Sequence, residues 1–194
     1  MEPVRPSTTR LAATDLACRR GDRLLFRGLS FELNEGEALQ IAGPNGTGKS
    51  SLLRILAGLS RPFSGTVERT VDVALLDERL ALDGHLSLGK ALDFWRRIDG
   101  TGMPLAGLAA LADVPVRFLS TGQRKRAAIL QSNSRGSGAW LLDEPLNGLD
   151  VDAAAALQEQ LAEYLAAGGI AVIASHQPFH VPGLQRLHLT DFAP

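Results

Sequence analysis

The chain has 194 residues, 45% of them hydrophobic and 21% charged, which is enough apolar side chain for a buried core in one domain, 1–194. Lys+Arg 20 against Asp+Glu 21 leaves a formal net charge of -1, which excludes a broad basic face for nucleic acid. The single cysteine, Cys18, excludes an internal disulfide and a Cys-cluster zinc site and fits a reducing compartment.

In chain order, the opening MEPVRPSTTR lacks the apolar core of a secretory signal, so none is expected. Residues 24–33 mix aliphatics with single polar residues and meet a turn at Asn34-Glu35-Gly36. Ala38-Leu39-Gln40-Ile41-Ala42 then predicts a buried strand. A helix is expected over 51–57, with Gly58 as its stop. Between 87 and 120 the apolar spacing turns helical and is broken at Gly100-Thr101-Gly102, which predicts two short helices inserted between core strands. The last third predicts a strand at 139–142, an Ala-rich helix over 152–166 closed by Gly168-Gly169, and a strand at 170–174. Alternation of the two periods points to an α/β fold with parallel strands. The longest uncharged stretch, 164–185, contains Gly168, Gly169, Pro178 and Pro182, which break any membrane-spanning helix. A membrane role would therefore come through a partner.

The sharpest chemical signal is Gly43-Pro44-Asn45-Gly46-Thr47-Gly48-Lys49-Ser50, a full G-x-x-x-x-G-K-[ST] match between a predicted strand and a predicted helix. Its glycines let successive backbone N–H groups wrap a phosphate chain, and the helix beginning near Lys49 and Ser51 adds its N-terminal dipole. Lys49 would reach the β- and γ-phosphates, and the Ser50 hydroxyl would ligate Mg²⁺. A second signal is Trp140-Leu141-Leu142-Asp143-Glu144-Pro145. A carboxylate at the end of a buried strand is poorly solvated unless it meets a cation, so Asp143 fits the Mg²⁺ shell. Glu144 could then orient or deprotonate the attacking water.

Kinases, GTPases, recombinases and helicases share those two features. Leu119-Ser120-Thr121-Gly122-Gln123 separates them, because it resembles the LSGGQ signature of ATP-binding-cassette (ABC) ATPases and likewise precedes the Asp-Glu strand. Thr121 stands where the family usually has glycine. Asp150, after Gly148-Leu149, resembles the family's D-loop, and His176 resembles its switch histidine. The resemblance covers about 16–177. It implies an ABC-type P-loop NTPase: a mixed sheet core, an antiparallel β subdomain and an inserted α-helical subdomain over about 87–120. It implies ATP and Mg²⁺ as ligands. It also implies a second copy of the chain in an ATP-sandwich dimer, with the Ser120 nest facing the γ-phosphate held by the other copy. Ser120 as a helix N-cap, and His176 as a hydrogen-bonded structural residue, are the plainer readings of those side chains.

Two positions depart from the family pattern. Arg19 falls where an aromatic usually stacks on adenine. A guanidinium can also stack, or Arg19 and Arg20 are solvated surface charges. Glu78, beside Asp77, falls nearest the glutamine that usually joins the metal shell to the membrane partner; the alternative is a charged loop. Longer phrases, among them Cys18-Arg19, 24–31, 51–59, 140–150 and Ser175-His176-Gln177, resemble the ATP-binding subunits of the heme exporters used in bacterial cytochrome c maturation. That family implies an integral membrane permease partner and a peripheral site on the cytoplasmic face of the inner membrane. An ABC subunit for another substrate, or a soluble non-transport ABC ATPase, are the competing readings.

Overall fold

Two sheets built on different rules position the functional loops. The computed structural model describes residues 10–77, 81–99, 107–133 and 138–194. β1 (Arg10–Arg20), β2 (Arg23–Asn34) and β4 (Ser64–Arg69) form an antiparallel sheet of order β2-β1-β4. β3 (Ala38–Ala42), β5 (Val73–Leu76), β6 (Ala139–Asp143), β7 (Ile170–Ala174) and β8 (Leu184–His188) form a second sheet of order β5-β6-β7-β3-β8. All four pairings in the second sheet are parallel. The expected mixture of strand directions is thus divided between the two sheets. Similarity to known structures bears out the fold class, as given below.

β1 does not alternate simply. Its register with β2 shifts between Ala13 and Leu16, and Asp15 has φ 50. The bulge resets the pleat, so that Leu11, Ala13, Leu16 and Cys18 all reach the same core. Burial pushes the Cys18 thiol up from its ordinary value, against smaller lowering effects of Ser51 and Arg20. β2 carries Phe26, Leu29 and Leu33 inward, with Gly28 at φ 72 accommodating its own irregularity.

The central parallel strands β3, β6 and β7 are buried on both faces, as their near-continuous apolar runs require. On one side, α1 (Lys49–Leu56) and the antiparallel sheet pack Leu52, Leu53, Leu56, Leu16 and Phe26 against Leu39, Ile41 and Val172. On the other, α4 (Val151–Ala166) packs Leu157, Leu161 and Leu165 against Trp140, Leu142 and Ile173. Each such side chain contributes about 1.5–3 kcal/mol by burial. Trp140 meets the Tyr164 ring edge-on at 5.8 Å and donates from Nε1 to Ser132 Oγ at 3.0 Å.

A third cluster joins α2 (Leu88–Asp99) to the start of α3 (Thr121–Asn133) through Leu88, Ala91, Leu108, Val116, Leu119 and Ala127. Of the two inserted helices expected over 87–120, the first is α2. In place of the second, the described residues hold single 3-10 turns at Ala109–Leu111 and Val116–Phe118. Gly107 at φ 76 and Pro115 in an extended conformation bound these turns and stop either from propagating. Among the described residues, no helix is long and apolar enough to cross a membrane.

Candidate nucleotide-hydrolysis site

Parallel strands present all their carboxyl ends along one edge, and a ligand crevice is expected there. The order β6-β7-β3 sets three loops side by side on that edge: Asp143-Glu144 after β6, Ser175-His176-Gln177 after β7, and the glycine loop after β3. The loop bends through positive φ at Gly43 (150), Gly46 (82) and Gly48 (109), and Gly48 caps α1 in the left-handed region. A Cβ at Gly48 would press on Leu25 and Phe26 at 3.2 Å, so the loop lies tightly on β2.

Lys49 is 6% exposed. Its ammonium donates to the Gly43 carbonyl at 2.7 Å and lies 3.5 Å from Glu144 Oε1. Glu144 Oε2 is 2.8 Å from His176 Nδ1. A carboxylate only accepts, so Nδ1 carries the proton in this pair and Nε2 is left to meet another group. Glu144 itself has φ 43, a conformation that costs a non-glycine residue about 1–3 kcal/mol. It is held there by its N–H donating to Ala174 O at 2.8 Å, and by the buried Lys125 ammonium, which donates to its carbonyl at 3.1 Å.

The result is a cleft of about 470 Å³ whose walls include Asn45, Gly46, Gly48, Lys49, Ser50, Ser51, Asp143, Glu144, Asn147 and His176. Buried Asp143 and the Ser50 hydroxyl share this cleft. Their hard oxygen donors suit Mg²⁺. Among the described residues, no group of three or more His, Cys, Asp or Glu side chains is placed to hold a metal ion.

Arg19 does not line the cleft. The β-strand alternation turns its guanidinium onto the Phe63 ring, 4.8 Å from the centroid. Arg20 and Arg23, paired across the β1–β2 turn, line the cleft instead. The shared orientation of cross-strand partners is the signal that separates them from Arg19. Glu78 lies outside the described residues; its neighbour Asp77 pairs with Arg54 at 3.3 Å.

The 119–123 turn lies outside the phosphate cleft. The Ser120 hydroxyl accepts from Gln123 N–H at 3.2 Å, and Gln123 Oε1 accepts from Ser120 N–H at 2.9 Å, a reciprocal capping box at the start of α3. Leu119 anchors the turn in the helical cluster, and Thr121 lines a neighbouring cavity of about 510 Å³ with Arg124 and Lys125, which shares Glu144 and Asn147 with the cleft. Gly122 abuts the next loop: a Cβ there would sit 2.6 Å from the Gly148 carbonyl. Asp150 caps α4 by accepting from Ala153 N–H at 2.8 Å, with Arg126 3.8 Å away.

Sequence reasoning missed Lys125, whose long stem inside α3 resembled any solvated helix charge. Comparisons with known proteins bear on the family and the fold. The ABC transporter family pattern matches residues 26–147. The cytochrome c biogenesis ATP-binding export protein CcmA of Novosphingobium aromaticivorans is 59% identical over 186 residues, covering 95% of this chain and 97% of that protein. Its namesake from Zymomonas mobilis is 49% identical, covering 94% and 86%. An ABC transporter ATP-binding protein from Pyrococcus furiosus superposes with a TM-score of 0.82 at 19% identity, over 96% of this chain and 100% of that one, which shows a shared fold. Identity of this degree over nearly the whole chain makes the protein a member of the ABC transporter family, a P-loop ATPase of the kind represented by the cytochrome c biogenesis ATP-binding export proteins.

Proposed function

We propose that this chain is the ATP-hydrolysing subunit of a membrane complex that exports or releases heme during cytochrome c maturation. It would act as a peripheral protein on the cytoplasmic face of the bacterial inner membrane, bound to an integral permease. The observation that carries the pathway is the near-full-length identity to two cytochrome c biogenesis export proteins. Complementation tests it. A bacterial strain lacking its own such subunit should regain heme-stained c-type cytochromes with the parent chain and a matching permease, and not with Lys49→Ala. No recovery with the parent would count against the pathway and leave the ATPase reading standing.

The phosphate-loop N–H groups and Lys49 would hold the β- and γ-phosphates, releasing Lys49 from its contact with Glu144. Bound Mg²⁺, held by Ser50 and Asp143, would neutralise developing phosphate charge. Glu144 would orient a water in line with the γ-phosphorus and accept its proton as the bond to the β,γ-bridging oxygen breaks, leaving ADP and phosphate. His176, tied to Glu144 through Nδ1, would turn its other ring nitrogen toward the γ-phosphate, as the neutral or the protonated ring. No nucleic acid enters this reading.

Arg20 and Arg23 would take the base-side role assigned above to Arg19. None of the described residues lining the cleft is Phe, Tyr or Trp. A guanidinium plane stacks on either purine without reading its edge, so ATP and GTP should bind with comparable affinity. Arg20→Ala should weaken both by roughly 3- to 30-fold in fluorescent-nucleotide displacement. A strong preference for ATP that survives in Arg20→Ala would remove this arginine from the base site.

The Ser120 nest would act on the nucleotide of a second copy, which is why its substitution separates ABC chemistry from other P-loop mechanisms. Ser120→Arg should leave ATP binding by the isolated chain within about twofold, while ATP turnover falls by about 100-fold or more. ATP-dependent dimerisation, read by size-exclusion chromatography, should fail with it. Weakened binding in the monomeric variant would count against a trans-acting signature.

A further inference from the structure

Gln40 is a buried polar residue that the hydrolytic reading leaves unused. It is 3% exposed, in the otherwise apolar strand Ala38-Leu39-Gln40-Ile41-Ala42. Leu39 and Ile41 face the core beneath α1, while Ala38 joins the cluster on the opposite side. Gln40 alternates with Ala38 onto that second side. Its Nε2 donates to the Gln177 carbonyl at 2.7 Å and lies 3.4 Å from the Ser175 carbonyl. Those two carbonyls flank His176. Its Oε1 is buried with no hydrogen-bond partner among the described residues. An amide buried with its oxygen unmet is less favourable there than a Met or Leu side chain, so packing does not account for Gln40. Its donor does.

The same loop is tied at two further points. Ser175 Oγ donates to Gln177 O at 3.1 Å, and Gln177 Nε2 donates to Asn147 Oδ1 at 3.1 Å. Asn147 precedes Gly148, whose carbonyl abuts Gly122 of the signature turn. The peptide around His176 is therefore clamped between a core strand and the loop that leads to Asp150.

We infer that Gln40 is a positioning residue for hydrolysis: its amide fixes the backbone on both sides of His176 and so holds the imidazole against Glu144. This deepens the ATPase reading and rests on it. Gln40 does not line the cleft, so it acts through His176 and leaves nucleotide affinity alone.

Gln40→Met keeps the length and apolar fit while removing the donor. In steady-state assays of the full chain, kcat should fall about tenfold, with KM for ATP unchanged within about twofold. In a His176→Ala background the same change should cost less than about twofold, because the group being positioned is gone. Gln40→Glu donates only when protonated, so its rate relative to the parent should rise as pH is lowered. Equal losses in both backgrounds, a raised KM at parental kcat, or parental turnover in Gln40→Met would overturn the inference alone. Failure of both Gln40 variants to bind a fluorescent ATP analogue would assign the residue to the core and overturn it equally. A His176→Ala chain that turns over ATP at the parental rate would overturn the hydrolytic role of His176 and this inference together.

Discussion

Glu144→Gln is expected to leave ATP bound and unhydrolysed. The amide keeps the shape of the carboxyl group but cannot take a proton from water, and a positioned general base is worth about 10²–10⁴ in rate. Turnover should therefore fall by that factor. Binding should hold or tighten, since the change also removes the anion 3.5 Å from the Lys49 ammonium that the phosphates would otherwise have to displace. The trapped state should accumulate as a dimer with two nucleotides, visible by size-exclusion chromatography with ATP and Mg²⁺. A variant that remains monomeric at saturating ATP would contradict the sandwich arrangement. One that hydrolyses ATP at the parental rate would remove Glu144 from the chemistry.

Lys49→Ala is expected to act one step earlier. The ammonium is nearly fully buried and is held by the Gly43 and Pro44 carbonyls, aimed into the loop that would enclose the phosphates. Removing it takes away the principal cation of the cleft and its charge-assisted hydrogen bonds to the β- and γ-phosphates. ATP binding, followed by fluorescent-nucleotide titration, should weaken by at least about 100-fold, with turnover lost in parallel. The fold should survive, because α1 is anchored through Leu52, Leu53 and Leu56 rather than through Lys49. Glu144 would lose the buried ammonium 3.5 Å from its carboxylate, so the variant's thermal midpoint should fall while unfolding stays cooperative. Parental affinity for ATP in this variant would refute the phosphate-loop assignment.

Both outcomes turn on residues legible in the sequence, because the chemistry there is local. Gly43 to Ser50 can wrap a phosphate only with glycine at fixed spacings and a helix starting immediately after. Each of those demands is written in consecutive residues. The same holds for the apolar run closing on Asp143-Glu144, and for Ser120 with Gln123 three residues on, whose capping box is a pattern within one turn. The buried strands 139–142 and 170–174 and the α4 helix were equally local readings.

What the sequence hid was non-local. β1 was not predicted, because its bulge between Ala13 and Leu16 changes which parity faces the core, and a period of two cannot be seen across it. β4 and β8 carry mostly exposed polar side chains and β5 spans only four residues, so pairing with neighbours distant in the chain is what makes them strands. The cleft side of the β1–β2 turn depended on cross-strand register, which places Arg20 opposite Arg23 and sends Arg19 to Phe63. Lys125 and Gln40 looked like a helix charge and a stray polar residue. Only the adjacency of β6, β7 and β3 turns them toward the Asp143–Glu144 backbone and the His176 loop. Which groups can bind phosphate and move a proton is legible in consecutive residues, since residue type and local spacing meet those needs. Which of them share an edge follows from strand order and register, which arise from packing that no single segment encodes.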